Sequence, residues 1–463
     1  MRFIVQLVAD TGAGAPAAGM VATIERPDDG FSIDDLGLTL AESKAILAGL
    51  QASMTQAQAA AVAGRGRACP CCRRPRRLKD HRTITVRTLF GKLALPSPRY
   101  RHCRCEGGPG VAAPVVAALP ERITPDLLAL EARWASLAAY GVTAALLADV
   151  LPIGEAVNAS TIRNDVLRVA ERFEAELGPE QAMFASGCQA EWNEMPIPSP
   201  PVTVGMDGGY VRSWADRPAN FEVIVGKSVP DDGPVRRFGF VVGHDAKPKR
   251  RLHELLVAQG VAMNQEVTFM SDGGESVRDL QLYMRPNAEH VLDYFHVAMR
   301  VTVLQQMARG LPAPLSEAAP AMVETLESVR RFVWHGNVGR ALGLVEDLGD
   351  AVDLLECPPP EVRKLRRYLD EFSGYVANNA GLIPNYAERR RYGEVVSTAF
   401  VESTVNQVIA KRFAKKQQMQ WTPRGVHLLI QLRTRVLDGT LNGDFQRWRN
   451  ERRLLSGETA MAA

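Results

Sequence analysis

Long hydrophobic runs are missing from this sequence of 463 residues: none approaches eighteen apolar residues without a charge. A membrane-spanning helix needs about 20 predominantly apolar residues, so we expect no membrane span. The first residues carry one arginine and a short apolar run that ends at Asp10, which does not resemble a signal peptide. We therefore expect a cytoplasmic protein.

Cysteine and net charge are also scarce, and both are distributed unevenly. The sequence has seven cysteines, of which five lie between residues 69 and 105, while Cys188 and Cys357 are isolated. An odd, clustered set favours metal binding in a reducing compartment over disulfides. The net charge is only +3, which does not by itself indicate a nucleic-acid-binding protein.

Acidic residues are almost absent from residues 65–104, where thirteen Lys and Arg accompany the single acid Asp80. This local excess of positive charge predicts a surface for a polyanion. The alternative is a solvated basic loop. The side chains expected to contact DNA phosphates in this region are Arg73, Arg74, Arg76, Arg77, Lys79 and Arg82.

The length predicts two to four domains, and composition sets their boundaries. In order, these are a strand and helix (1–64), a basic cysteine-rich module (65–118), a helical segment (119–187), a proline-rich linker (188–200), an α/β region (201–296), a second helical segment (297–390), a C-terminal helical part of the core (391–445) and a tail (446–463). Hydrophobic patterning predicts strands at 3–8, 201–206, 210–214, 221–228, 237–242 and 266–270, and helices at 40–63, 250–259 and 398–437.

The clustered cysteines form two pairs, Cys69 with Cys72 and Cys103 with Cys105. Two thiolate pairs at the turns of hairpins form a tetrahedral zinc site, and a hairpin is expected about Phe90-Gly91 between them. The pattern predicts a zinc ribbon. Because C-x-C is a tight spacing, Cys71 or His102 remain alternative ligands, and unliganded cysteines in a basic loop remain the alternative to a metal site.

Residues 141–170 have the pattern of a helix-turn-helix. We expect one helix to end at Gly141, Thr143 to cap the next, and Asn158 or Ser160 to cap a third that runs to about residue 176. The third helix would present Thr161, Arg163, Asn164 and Arg168 outward to DNA. An ordinary pair of packed helices is the alternative.

Two carboxylates follow apolar strands in the same local sequence. Both Asp207 and Asp272 are preceded by a β-rich run and followed by Gly-Gly. If the strands are neighbours, the two carboxylates repel each other, and a divalent cation relieves that repulsion. The pattern predicts a magnesium or manganese site, with ordinary turn chemistry as the alternative.

A third acid, Glu402, begins a basic helical stretch. An acid facing a metal pair with a basic helix behind it suits a phosphodiester substrate. The helix carries Asn406, Lys411, Arg412, Lys415 and Lys416.

Residues 401–429 (VESTVNQVIAKRFAKKQQMQWTPRGVHLL) resemble the carboxyl-terminal signature of ISKra-type insertion-sequence transposases. The stretch Asp293-Tyr-Phe-His296, the cysteine pairs and residues 127–177 are also similar to that family, although Cys71 departs from a simple C-P-x-C. The resemblance implies a bacterial, nucleoid-associated enzyme with a ribonuclease-H-like core interrupted by a helical insertion.

The resemblance further implies an Asp-Asp-Glu triad of Asp207, Asp272 and Glu402 that holds two Mg²⁺ or Mn²⁺ ions, with His296 and Asn406 as accessory residues. The implied partners are the double-stranded terminal inverted repeats, the target DNA and further copies of the chain. A nuclease on the same fold and a non-catalytic, sequence-specific DNA-binding protein are the rival functions.

Overall fold

The structure is a computed structural model. It describes residues 1–9, 17–28, 32–33, 36–154, 157–178, 194–196, 201–216, 219–262, 264–313, 315–354, 358–414 and 421–461. Cys188, Cys357, Lys415, Lys416 and all of the expected linker except 194–196 lie outside the described residues. The chain forms two compact units, residues 1–171 with 439–463, and residues 172–438. Among the described residues, no helix is both long and apolar enough to cross a membrane.

The first unit begins with an antiparallel pair of strands, β1 (Arg2–Ala9) and β2 (Ala17–Glu25), followed by helix α1 (Leu40–Arg65). The predicted strand and helix are confirmed. Helix α1 starts at a capping box, in which the Thr39 hydroxyl accepts the N–H of Glu42 and the Glu42 carboxylate accepts the N–H of Thr39. This reciprocal pairing satisfies donors that the first turn of a helix leaves open.

The cysteine-rich region contains a three-stranded antiparallel sheet of β3 (Leu78–Thr88), β4 (Gly91–Arg101) and β5 (Val111–Ala112). The β3–β4 hairpin turns at Phe90-Gly91, which confirms the predicted hairpin. Gly91 has a φ of 135°, a conformation that L side chains rarely adopt.

The helical segment that follows comprises α2 (Pro114–Ala118), α3 (Pro125–Leu137), α4 (Tyr140–Val150) and α5 (Ala159–Glu176), of which residues 172–176 belong to the second unit. Two expected boundaries are wrong. Gly141 lies inside α4, and Thr143 is a buried residue of α4 and not its cap. Asn158 does cap α5, since its side chain accepts the N–H of Thr161 over 2.9 Å.

The C-terminal residues also belong to the first unit. Helix α15 (Leu441–Met461) includes residues that composition assigns to a tail. It packs on α3, where Arg449 pairs with Asp126, and Arg452 pairs with Glu121 in the segment before α3.

The second unit is built on a five-stranded mixed sheet. Its strands are β6 (Val202–Arg212), β7 (Asn220–Pro230), β8 (Arg236–Val241), β9 (Val267–Ser271) and β10 (His290–Leu292). The order is β10-β9-β6-β7-β8. Strands β6, β7 and β8 are antiparallel neighbours, whereas β9 and β10 run parallel to β6. The mixed α/β class is thereby confirmed.

The two faces of β6 pack against different helices. Val202, Val204 and Met206 point to a core that includes residues of α6 (Pro248–Ala258) and α7 (Glu275–Met284). Side chains alternate along a strand, so Asp207 belongs to the opposite face.

Helices α8 (Tyr294–Arg309), α9 (Ala319–Trp334), α10 (Val338–Asp353), α11 (Pro360–Asn378) and α12 (Tyr386–Arg391) follow the sheet. Their apolar faces form one core, which is continuous with Met270 of β9 and with Val291 and Leu292 of β10. The helices are therefore packed onto the parallel edge of the sheet.

The expected single helix over 398–437 is wrong. The described residues form α13 (Ala399–Val405), a π-helix (Asn406–Ala414) and α14 (Pro423–Leu437). Thr422 accepts the N–H of Gly425 and starts α14 anew with Pro423 in its first turn. Buried Arg433 of α14 donates to the carbonyls of Gln407 and Val408 in the π-helix.

Candidate functional site

The two predicted aspartates lie side by side on neighbouring parallel strands. Asp207 is in the middle of β6, which continues to Arg212, so the strand end expected there is wrong, whereas Asp272 directly follows β9. Val202 of β6 is opposite Val267 of β9, and Gly205 is opposite Met270. Two further residues in this register place Asp207 opposite Asp272. Adjacent strands are about 4.8 Å apart, so both carboxylates start from neighbouring backbone positions on the same face.

A third aspartate, which the sequence reasoning missed, lies next to Asp272, so that three aspartates form a row across neighbouring strands. Leu292 of β10 is opposite Ser271 of β9, and the N–H of Asp293 donates to the Ser271 carbonyl over 2.8 Å. Asp293 is therefore opposite Asp272. The available signal was an apolar strand, His290–Leu292, that ends at an acid without the Gly-Gly that marks the other two.

The carboxylate of Asp293 is fully buried and hydrogen-bonded. It accepts the N–H of Phe295 over 2.8 Å and the hydroxyl of Thr398. His296 links it to the first aspartate, with its Nε2 at 3.6 Å from Asp293 Oδ2 and 3.9 Å from Asp207 Oδ1. The accessory residue His296 thus lies at the acid row.

Asp207 carries the electrostatic signature of a crowded carboxylate. Burial raises its pKa, and repulsion from Asp272 and Asp293 adds to the shift. His296 and the N–H of Gly208, which donates to Asp207 Oδ1 over 2.8 Å, oppose it. A cation at this position would remove the repulsion that disfavours the ionised form.

Helix α13, which carries Glu402, lies against the same face of β6 as Asp207. A Cβ added at Gly205 would lie 2.2 Å from Val401 Cγ2, and one at Gly209 would lie 2.9 Å from Ile409 Cδ1. These glycines flank Asp207 at alternate positions on its own face, so they admit the helix close to the strand.

Glu402 follows Val401 and has an exposed side chain. Among the described residues, the metal-ligand atoms that lie within 4.8 Å of one another form two other groups. The oxygens of Asp207, Asp272 and Glu402 are therefore not closed around one point in this structure. Asn406, the other accessory residue, is exposed at the start of the π-helix.

One of those groups is the cysteine cluster. Cys69 Sγ lies 3.3 Å from Cys105 Sγ, and Cys72 Sγ lies 3.6 Å from Cys103 Sγ. Four sulfurs at about 2.3 Å from a tetrahedral zinc are about 3.8 Å apart, so this cluster could bind a zinc ion with little movement.

The alternative ligands Cys71 and His102 do not belong to the cluster. Cys71 is exposed, and the imidazole of His102 lies against Gly110, where an added Cβ would be 2.3 Å from its Nδ1.

The thiol pKa values fit a site for a cation. A backbone N–H from Cys72 is the largest contribution that lowers the pKa of Cys69 to about 7, and one from Cys105 lowers the pKa of Cys103. The neighbouring thiols, above all Cys69, raise the pKa of Cys105. Four thiolates therefore repel one another unless a cation compensates them.

Most basic side chains of the cysteine module are exposed, namely Arg73, Arg74, Arg77, Lys79 and Arg82. Arg76 is an exception. It is paired with Glu106 and donates to the Gly66 carbonyl over 3.0 Å. It therefore fixes the fold of the module and is not a surface group for DNA, contrary to expectation.

The other residues predicted to contact DNA also include both exposed and buried side chains. Arg163 and Asn164 are exposed on the first half of α5, as predicted, while Ile162, Val166 and Val169 are buried. In the π-helix, Lys411 is exposed. Arg412 is buried over the ring of Trp421, which removes it from the expected surface.

Glu174, Asp245 and His427 form the second group of possible metal ligands. Buried Arg251 lies among them, with Nη1 at 2.9 Å from Glu174 and Nε at 3.0 Å from Asp245. The guanidinium already supplies the positive charge that a metal ion would bring, so this group is an ion-pair network that ties α5, α6 and α14 together.

Neither the comparison with protein-family models nor the comparison with curated proteins found a match to this chain.

Proposed function

We propose that the protein is a DNA transposase that cleaves and joins phosphodiesters at the row of acids on the second unit. The observation that carries the proposal is the shared register of Asp207 and Asp272 on parallel strands, with the helix of Glu402 packed on the same face. The strand arrangement of the sheet supports the proposed function. Three antiparallel strands, β6 to β8, followed by two parallel ones, β9 and β10, are the arrangement expected of a ribonuclease-H-like core.

The residues fit a divalent metal site. Asp207 has a raised pKa because burial and neighbouring carboxylates disfavour its charge, and carboxylate oxygens suit Mg²⁺ and Mn²⁺. We assign the metal ligands to Asp207, Asp272 and Glu402. When bound, two such ions supply an activated oxygen nucleophile and stabilise the charge of the leaving oxygen.

For a joint metal site, the exposed carboxylate of Glu402 at the start of α13 must move toward the aspartates. In this proposal, DNA completes that closure. The exposed Lys411 lies on the π-helix that directly follows α13 and suits a contact with the DNA backbone.

The first unit has the features of a DNA-binding module. Its zinc ribbon presents exposed Arg73, Arg74, Arg77, Lys79 and Arg82, which suit phosphate contacts. The exposed Arg163 and Asn164 near the start of α5 suit base contacts in a major groove, as in a helix-turn-helix. Specific binding of inverted repeats by this unit would give the metal site its sequence selectivity.

The test is cleavage and joining of a supercoiled plasmid that carries the genomic DNA from both sides of the reading frame. D207A, D272A and E402A should each lose about a hundredfold to a thousandfold in cleavage, as expected when a group that stabilises transition-state charge is removed. DNA binding should persist, because basic residues elsewhere provide it. The exposed acid Asp232 in the β7–β8 turn gives a matched control, D232A.

Joined products distinguish a transposase from a nuclease, which would only cut. Full activity of D207A or D272A would contradict the assigned site. DNA binding without any metal-dependent cleavage by the wild type would support the DNA-binding regulator.

A further inference from the structure

Asp293 differs from the other acids of the row in what its carboxylate contacts. Its side chain is fully buried, and both oxygens accept hydrogen bonds, one from the Phe295 N–H and one from the Thr398 hydroxyl. Asp272 is half-buried and Glu402 is exposed. Asp293 is thus the acid of the row that is least accessible to an ion.

Thr398 connects this buried carboxylate to the helix of Glu402. It is the N-cap of α13, and its carbonyl accepts the N–H groups of Val401 over 2.6 Å and of Glu402 over 2.9 Å. Thr398 is itself buried. A single residue therefore joins the end of β10 to the first turn of α13.

Helix α13 depends on such an anchor. It has seven residues and continues directly into the π-helix of nine residues, and most of the stability of such a helical segment in a protein comes from tertiary packing. Its packing of Val401 on Gly205 fixes its distance from β6. A second contact is needed to fix its rotation and its starting point, and the hydrogen bond from Thr398 to Asp293 supplies one.

We propose that Asp293 is a positioning residue that, through Thr398, sets the start and orientation of α13 and so directs Glu402 toward Asp207 and Asp272. The inference rests on the proposed function for its catalytic consequence. A hydroxyl bound to a buried carboxylate is a charge-assisted hydrogen bond. The same carboxylate lies beside His296, which contacts Asp207, so one buried group is linked to two of the three acids.

The experiment compares three substitutions on the helix of Glu402. T398V removes the hydroxyl and keeps a β-branched side chain, and T398S keeps the hydroxyl. T404V is the matched control, because Thr404 is equally buried on the same helix and its hydroxyl donates to the Phe400 carbonyl.

Two readouts separate structure from function. Hydrogen exchange should become faster at residues 399–402 in T398V and stay near wild type in T398S and T404V. Plasmid cleavage should fall about tenfold or more in T398V, as expected when a hydrogen bond to a charged group is lost, and about twofold or less in T404V, with binding of DNA unchanged. T398S should retain most of the cleavage activity.

A double-mutant cycle tests the route through Thr398. D293N keeps the cap of α8 and lowers the charge, and its loss of cleavage should not add to that of T398V. Unchanged exchange in T398V, or equal losses in T398V and T404V, would overturn the proposal. So would a loss in D293N as complete as in D207N, since Asp293 would then behave as a metal ligand.

The outcome for the proposed function is read separately. If the wild type shows no metal-dependent cleavage while T398V alone accelerates exchange in α13, the link between Asp293 and the helix holds and the transposase assignment fails. If D207A abolishes cleavage while T398V cleaves at the wild-type rate, the assignment holds and the positioning role fails.

Discussion

The Tyr375 hydroxyl, near the end of α11, donates a hydrogen bond to the backbone carbonyl of Asp272 over 3.1 Å. Burial raises the pKa of Tyr375, so the phenol remains a neutral donor at physiological pH. The guanidinium of Arg300, on α8, lies 4.1 Å from the centre of the same ring. The helices after the sheet therefore support the turn that carries an acid of the proposed site.

We expect Y375F to weaken metal-dependent cleavage several-fold, because losing one hydrogen bond removes about 1 kcal/mol of support for the turn. The concentration of Mg²⁺ needed for half-maximal cleavage should rise, since Asp272 would be held less firmly. Tyr368, earlier on the same helix, gives the control Y368F. Equal metal dependence of Y375F and Y368F would count against a role for the Tyr375 hydroxyl.

The close approach of α13 to β6 leads to a second prediction. An alanine Cβ at Gly205 would lie 2.2 Å from Val401 Cγ2 and 2.6 Å from the Phe400 ring. G205A should therefore displace α13, destabilise the second unit by about 1–3 kcal/mol as overpacking does, and reduce cleavage.

Gly208 supplies the matched control for this prediction. A Cβ there meets only the end of the flexible Glu222 side chain, at 3.0 Å, and points to the opposite face of the strand. Denaturant unfolding and cleavage should both separate G205A from G208A. Wild-type behaviour of G205A would show that α13 is not held at this distance in solution.

The sequence predicted that Asp207 and Asp272 lie together because both repeat a local pattern, an apolar run followed by Asp-Gly-Gly. The strand end that this pattern indicated is present after β9 but not at Asp207, because β6 stays paired with β7 as far as Arg212. It did not predict Asp293, because the relation of that residue to the others is a register between strands, which local periodicity does not encode. Arg76 and Arg412 were assigned to DNA on charge alone, whereas their partners Glu106 and Trp421 are supplied by the fold. The break in the expected helix over 398–437 was signalled by Thr422-Pro423, a common helix start.

A buried ion network in the first unit gives a pH prediction. Arg87 on β3 pairs with Glu131 on α3 and with Asp165 on α5. Arg168 also pairs with Asp165, but Glu131 is fully buried and shares Arg87 with Asp165. Burial therefore raises the pKa of Glu131 to about 8; Arg87 opposes the shift and Asp165 adds to it.

Proton linkage determines whether this raised pKa stabilises or destabilises the folded protein as pH rises. The unfolded chain loses the Glu131 proton near pH 4.5, and the folded chain keeps it to about pH 8. Stability should fall as pH rises through this window, by at most about 1.4 kcal/mol per pH unit, and then level off. In E131Q that fall should be absent, while E121Q, which alters a half-buried acid paired with Arg452, should keep it. Parallel wild-type and E131Q melting temperatures from pH 5 to 9 would refute this assignment.

The cysteine cluster gives the final prediction, because the structure separates ligands from bystanders. Purified protein should contain about one zinc per chain, and C69S, C72S, C103S and C105S should each lose it. C71S is the control, since Cys71 is exposed outside the cluster, and H102A should also keep zinc.

Zinc binding requires deprotonated thiols and stabilises small folds by about 10–16 kcal/mol in apparent terms. Chelation should therefore unfold the β3–β4–β5 sheet and lower DNA affinity, and both effects should strengthen as pH falls toward 5. Because Arg76 and Glu106 pair across the same loops, loss of zinc should also expose this ion pair and make residues 66–106 sensitive to protease. Zinc retained in C72S but lost in C71S would reverse the assignment of ligands. A folded, reduced, zinc-free protein with unchanged DNA affinity would show that the cysteine-rich sheet folds without metal.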